Sequence, residues 1–117
     1  MPTSTATGRM AEEIAAGYLS KVHNMQLIDK NWRTRTCEID LVMQKDNDLY
    51  FIEVKYRKNQ LTGGGLSSIT PNKHSRMISA AEEWLQNHEG IAKLQAHLSA
   101  IELTGVPPRV TALIEDL

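Results

Sequence analysis

The chain has 117 residues and a mass of 13.1 kDa, the size of a single domain. A composition of 41% apolar and 23% charged residues excludes outright disorder and a collagen-like fibre, and no run approaches the ~20 apolar residues of a membrane span. The net charge of −1 argues against a globally basic nucleic-acid binder, and Cys37, the one cysteine, rules out an internal disulfide and a thiolate-based zinc site.

Met1 to Thr7 lack the basic start and apolar block of a secretory signal, so a short flexible tail over 1–7 and a cytoplasmic location are expected. Met10, Ala11, Ile14, Ala15, Tyr18, Leu19 and Val22 then recur at helical spacing, which predicts a helix over about 8–23. Residues 25–28 and 31–33 suit a first strand or an irregular edge segment. Glu38–Met43 and Leu49–Tyr56 flank the polar turn Lys45-Asp46-Asn47-Asp48, the signature of a hairpin. A glycine-rich loop follows over 59–70, with Gly63-Gly64-Gly65 at its middle. Thr70-Pro71 reads as an N-cap with proline at the first helical position. The helix it opens runs to about His88, with Met77, Ile78, Ala81, Trp84 and Leu85 facing the core. His97–Leu103 and Arg109–Ile114 read as strands on either side of Pro107-Pro108. The order αβββαββ is that of an α/β domain with a mixed central sheet flanked by helices.

Charge is distributed unevenly along this order. Residues 1–52 carry 6 Lys/Arg against 7 Asp/Glu, residues 53–76 carry 5 against 1, and residues 77–117 carry 2 against 6. The middle is a basic island that can face a polyanion while the molecule stays near neutral.

Charges also fall inside the two best strands. Glu38 and Asp40 alternate together, as do Phe51, Glu53 and Lys55, while Tyr50, Ile52, Val54 and Tyr56 cover the other face. Ionised groups in a central sheet are costly unless paired or metal-bound. Antiparallel register can bring Asp40 and Glu53 close, and a divalent cation relieves the repulsion between them. Hard oxygen ligands favour Mg²⁺ or Mn²⁺, and Lys55 on the face of Glu53 can steer an attacking water. Spacing alone also fits a salt-bridged exposed sheet face.

Glu38-Ile39-Asp40-Leu41 followed by Phe51-Ile52-Glu53-Val54-Lys55-Tyr56-Arg57 resembles the core of the YraN-type bacterial proteins. These are small endonuclease-like proteins, similar to archaeal Holliday-junction resolvases and the PD-(D/E)XK nuclease superfamily. The resemblance extends to Gly8-x-x-Ala11-Glu12-x-x-Ala15-x-x-Tyr18-Leu19, to Asn31 and Arg33, and through Lys73-x-x-Arg76 into Ala80-Ala81. It implies a restriction-endonuclease-like fold in which Asp40 and Glu53 hold the metal with the Val54 carbonyl, Lys55 is the catalytic lysine, and Glu12 completes the metal shell. Helical geometry sets Glu12 at the edge of the apolar stripe and Glu13 nearer solvent. Cys37 stands where such proteins usually carry glycine, and His97-Leu98-Ser99 replaces a basic–aromatic–aspartate pattern.

The expected activity is Mg²⁺-dependent hydrolysis of phosphodiester bonds in DNA, with branched or structured DNA as the substrate class the resemblance implies. Arg57, Lys58, Lys73 and Arg76 are the expected nucleic-acid contacts. A homodimer would extend the short footprint of so small a domain. The alternative is a non-catalytic nucleic-acid-binding or protein-interaction module on a nuclease scaffold. His23, His74, His88 and His97 lack zinc-site spacing, and Cys37 reads as an inert thiol.

Overall fold

The sheet follows chain order, β1-β2-β3-β4-β5. The computed structural model describes residues 2–59, 69–91 and 93–117. Its elements are α1 (Pro2–His23), β1 (Gln26–Arg33), β2 (Glu38–Lys45), β3 (Asp48–Arg57), α2 (Pro71–Gln86), a single 3-10 turn (Glu89–Ile91), β4 (Gln95–Thr104) and β5 (Arg109–Ile114). The expected α/β architecture is present: β1–β2, β2–β3 and β4–β5 are antiparallel, and β3–β4 is parallel, with α2 as the crossover between them. Among the described residues, no helix is long and apolar enough to cross a membrane. The glycine triplet 63–65 lies outside the described residues.

Each face of the sheet is closed by one helix. Ala15 and Leu19 of α1 pack on Leu41, Met43, Tyr50, Ile52, Ile101 and Leu103. Met77, Ala80, Ala81 and Trp84 of α2 pack on the opposite face, over Ile39, Val42, Leu49 and Phe51. Trp84 anchors that second layer. It is fully buried, meets Phe51 edge-on at 5.6 Å, and donates its indole N–H to Asp29 at 2.9 Å.

Several expectations need correction. α1 begins at Pro2 rather than near residue 8, because proline is compatible with a first helical position and the helix continues beyond its apolar stripe. Met10 and Val22 are 48% and 58% exposed, so the apolar repeat of α1 runs past the part that covers the sheet. Ile78 lies mid-helix in α2 and is exposed beside the buried Met77 because it falls off the buried stripe. α2 stops at Gln86, with Asn87 as its C-cap. β1 is a true strand, although its pairing with β2 shifts between Leu27 and Asp29.

The last residues are pinned by polar contacts. Leu117 donates its N–H to Leu98, and Ser99 donates to the Glu115 carbonyl. His97 stacks on Tyr50 and meets Asp48 at 2.8 Å through Nε2 and Asp116 at 2.6 Å through Nδ1. The Asp48 hydrogen bond raises the His97 pKa above the usual histidine range; burial opposes this, and Asp116 adds to it.

Two predictions follow from this packing. Trp84→Ala should cost about 3–5 kcal/mol in denaturant unfolding, the expected loss for a large buried aromatic. A raised histidine pKa stabilises fully below about 6.5, and the contribution fades as pH rises through the higher folded value. Melting curves should therefore separate wild type from His97→Gln at pH 6 and converge toward alkaline pH. A constant gap would argue against the charged clamp.

Candidate active site at the end of the β2–β3 hairpin

β2 and β3 are in register from Lys45↔Asp48 to Leu41↔Ile52, where their ladder ends. β3 continues beside β4 as far as Arg57↔Thr104. Strict alternation also fails in β2: Ile39 packs on the α2 side, while Leu41 and Met43 pack on the α1 side. At this departure the Val54 N–H donates to the Asp40 carboxylate at 2.7 Å. A side chain thus does the work that the next rung of a ladder would do. Val54 enters the site through its amide, and its side chain packs with the α1 layer.

Asp40 is held beside Glu53, the neighbour of Val54 in sequence. Its pKa is pushed up to about 8, first by burial and next by the Glu53 charge; the Val54 hydrogen bond pulls it down, while Glu12 and Glu38 push it further up. Glu53 is 7% exposed and lies between two ammonium groups. Lys55 Nζ is 3.4 Å from one of its oxygens, and Lys73 Nζ is 3.4 Å from the other. Lys55 comes from the same strand, two residues on. Lys73 comes from the first turn of α2, where its N–H is capped by the Thr70 hydroxyl at 3.1 Å.

Glu12 is partly buried and accepts a hydrogen bond from the Asn31 amide at 3.0 Å, whereas Glu13 is exposed. Asn31 has φ +55°, a left-handed conformation that asparagine tolerates better than most residues. The two line a cleft between α1 and β1 together with Arg9, Arg33 and Glu38. Among the described residues, no three His, Cys, Asp or Glu side chains converge as a metal cage. Glu12 adds its charge to the field at Asp40 but closes no three-ligand set among the described residues.

The expected nucleic-acid contacts divide. Lys58 and Arg76 are exposed, Lys73 is on Glu53, and Arg57 pairs with the buried Glu102 at 3.2 Å. Glu102 also accepts from the Thr111 hydroxyl. Sequence reasoning missed Glu102 and the Lys73–Glu53 contact. The parallel pairing of Lys55 with Glu102 could be found only once β4 was set beside β3. Tyr56 packs on the α1 side and donates its hydroxyl to Gly105 at 2.7 Å. Cys37 has no positive φ, its N–H is held by the Thr34 hydroxyl, and burial raises its thiol pKa.

The donor set fits a hard divalent cation. It consists of carboxylate oxygens, and the burial and repulsion that push Asp40 up are what a dication would offset.

The sequence patterns of known proteins lead to one group. The pattern of the uncharacterised protein family UPF0102 matches residues 11–105. A UPF0102 protein of Stutzerimonas stutzeri is 36% identical over 104 residues, 89% of this chain and 86% of the relative. One from Nitrosomonas europaea is 40% identical over 90 residues, covering 77% and 75%. One from Legionella pneumophila strain Corby is 35% identical over 106 residues, covering 91% and 89%.

Raised folded pKa values for an acid weaken the fold as pH increases, because the native state binds the extra proton between the unfolded value near 3.8 and about 8. In a chelator, Asp40→Asn keeps an acceptor for the Val54 N–H and removes the charge. It should melt on the order of 5 °C or more above wild type at pH 8, with the gap vanishing near pH 4. A pH-independent gap would contradict the shifted carboxyl.

Proposed function

The chain belongs to the uncharacterised protein family UPF0102, the YraN-type group that its motifs resemble, and for it we propose metal-dependent hydrolysis of phosphodiester bonds in DNA. The supporting observation is the meeting of Asp40, Glu53 and Lys55 where β2 leaves β3. Asp40 and Glu53 would hold Mg²⁺ or Mn²⁺, with the Val54 carbonyl assigned to the same role by the resemblance. When bound, the cation supplies Lewis acidity, lowering the pKa of a coordinated water and offsetting charge on the phosphate. Lys55 orients the attacking water and adds positive charge beside the reacting phosphorus. Exposed Lys58 and Arg76 contact the phosphate backbone on either side and set position rather than sequence.

A second reading has its own support. Both Glu53 oxygens are already matched by lysines, an arrangement that also suits a structural ion-pair network in a non-catalytic binding module.

Calorimetry with Mg²⁺ or Mn²⁺ on wild type and Asp40→Ala separates the two. The nuclease reading expects binding in wild type and its loss in the variant; binding that survives the substitution would remove the proposed site. Cleavage of duplex, flap, junction and single-stranded DNA comes next. Lys55→Ala should lower the rate roughly 10²-fold or more. Absence of Asp40- and Lys55-dependent cleavage on every substrate would favour the binding module.

A further inference from the structure

Resting on the metal-dependent reading, we propose that Lys73 is a built-in stand-in for the cation at Glu53 and transfers to a substrate phosphate when the cation binds. Glu53 is 7% exposed, too buried to leave its charge to water. Its two oxygens are each 3.4 Å from an ammonium nitrogen, Lys55 on one and Lys73 on the other. These are the same oxygens that a metal would need. A cation entering the site must therefore displace at least one lysine or share an oxygen with it, against like-charge repulsion.

Lys73 is the group that yields. Lys55 follows Glu53 by two residues on the same strand and face, so the sheet keeps it close. Lys73 reaches across from α2, and its backbone is fixed by the Thr70 cap, so the ammonium can swing on a long stem while the helix stays in place. An ammonium presents a point charge without the fixed fork of a guanidinium, and it exchanges partners with little geometric demand. The nearest new anion in a working complex is the phosphate carried by the substrate. Metal and phosphate binding are then reciprocally coupled: the metal releases Lys73 to the phosphate, and the phosphate draws Lys73 away from Glu53. Arg76, one turn along α2, is exposed and supplies a control of equal charge.

The test compares wild type, Lys73→Met, Lys73→Arg and Arg76→Met, each checked for cooperative melting. Calorimetry with Mg²⁺ and no nucleic acid should show Lys73→Met binding roughly tenfold more tightly than wild type, since a charge at this distance moves a local equilibrium by about one unit or more. In Mg²⁺ affinity Arg76→Met should change little, and Lys73→Arg, which keeps the charge on a less exchangeable guanidinium, should bind no more tightly than wild type. Anisotropy of a labelled DNA duplex, read in Ca²⁺ and in chelator, should show metal strengthening wild-type binding; Arg76→Met should bind more weakly in both conditions and keep that gain, and Lys73→Met alone should lose it. Equal Mg²⁺ affinity in Lys73→Met and Arg76→Met, or a retained metal gain in Lys73→Met, would overturn the exchange while leaving the metal site standing. No Mg²⁺ binding by wild type would overturn both.

Discussion

The hydrogen bond from the Val54 N–H to Asp40 is the constraint from which the site develops. β3 is central and stays paired to β4 as far as Arg57, but β2 stops running beside it after Leu41. An inward strand amide without a partner would cost about as much as a lost hydrogen bond. Asp40 satisfies the amide, and in doing so a carboxylate becomes partly buried beside Glu53. The end of the β2–β3 ladder inside β2, not further pairing of the two strands, makes the acidic pair. The raised Asp40 pKa is the electrostatic trace of that placement.

From this pair the charges spread outward in a definite order. Glu53 takes Lys55 and Lys73, while Glu102 on β4 takes Arg57. Three of the five basic residues counted between positions 53 and 76 thus face carboxylates, and one of those carboxylates comes from the acidic last third. The basic island of the linear chain becomes in three dimensions a partly neutralised floor, with Lys58 and Arg76 exposed near its ends in sequence. Near-neutral net charge and a locally basic segment are therefore compatible. On the opposite side of the sheet, α1 contributes a cleft where Asn31 orients Glu12.

Much of the fold could be read directly. The hairpin was legible because turn chemistry and β-branched or aromatic runs are local, and α2 because Thr70 and Pro71 announce its start. Helix faces were less legible at their ends. Met10 and Val22 continue a helical repeat, but spacing does not say how far the opposing sheet extends, while Ile78 shows that an apolar residue in mid-helix can fall outside the buried stripe. Within β2, alternation predicted that Glu38 and Asp40 would share a face; Ile39 on the α2 side and Leu41 on the α1 side break that alternation at Asp40.

The sequence by itself determined the order αβββαββ, the residue types at the site and the family, since each is carried by local pattern or by motifs in series. Tertiary structure alone decided which charges meet. Lys73 turns toward Glu53, Arg57 toward Glu102, and His97 toward Asp48, a partner 49 residues away. Such pairings depend on the parallel register of β4 and the placing of the α2 crossover, so they exist only after the core has closed. Near-neutral charge, the first feature of the chain, is likewise a sum that burial and pairing distribute: the sequence supplies the charges, and the sheet selects their partners.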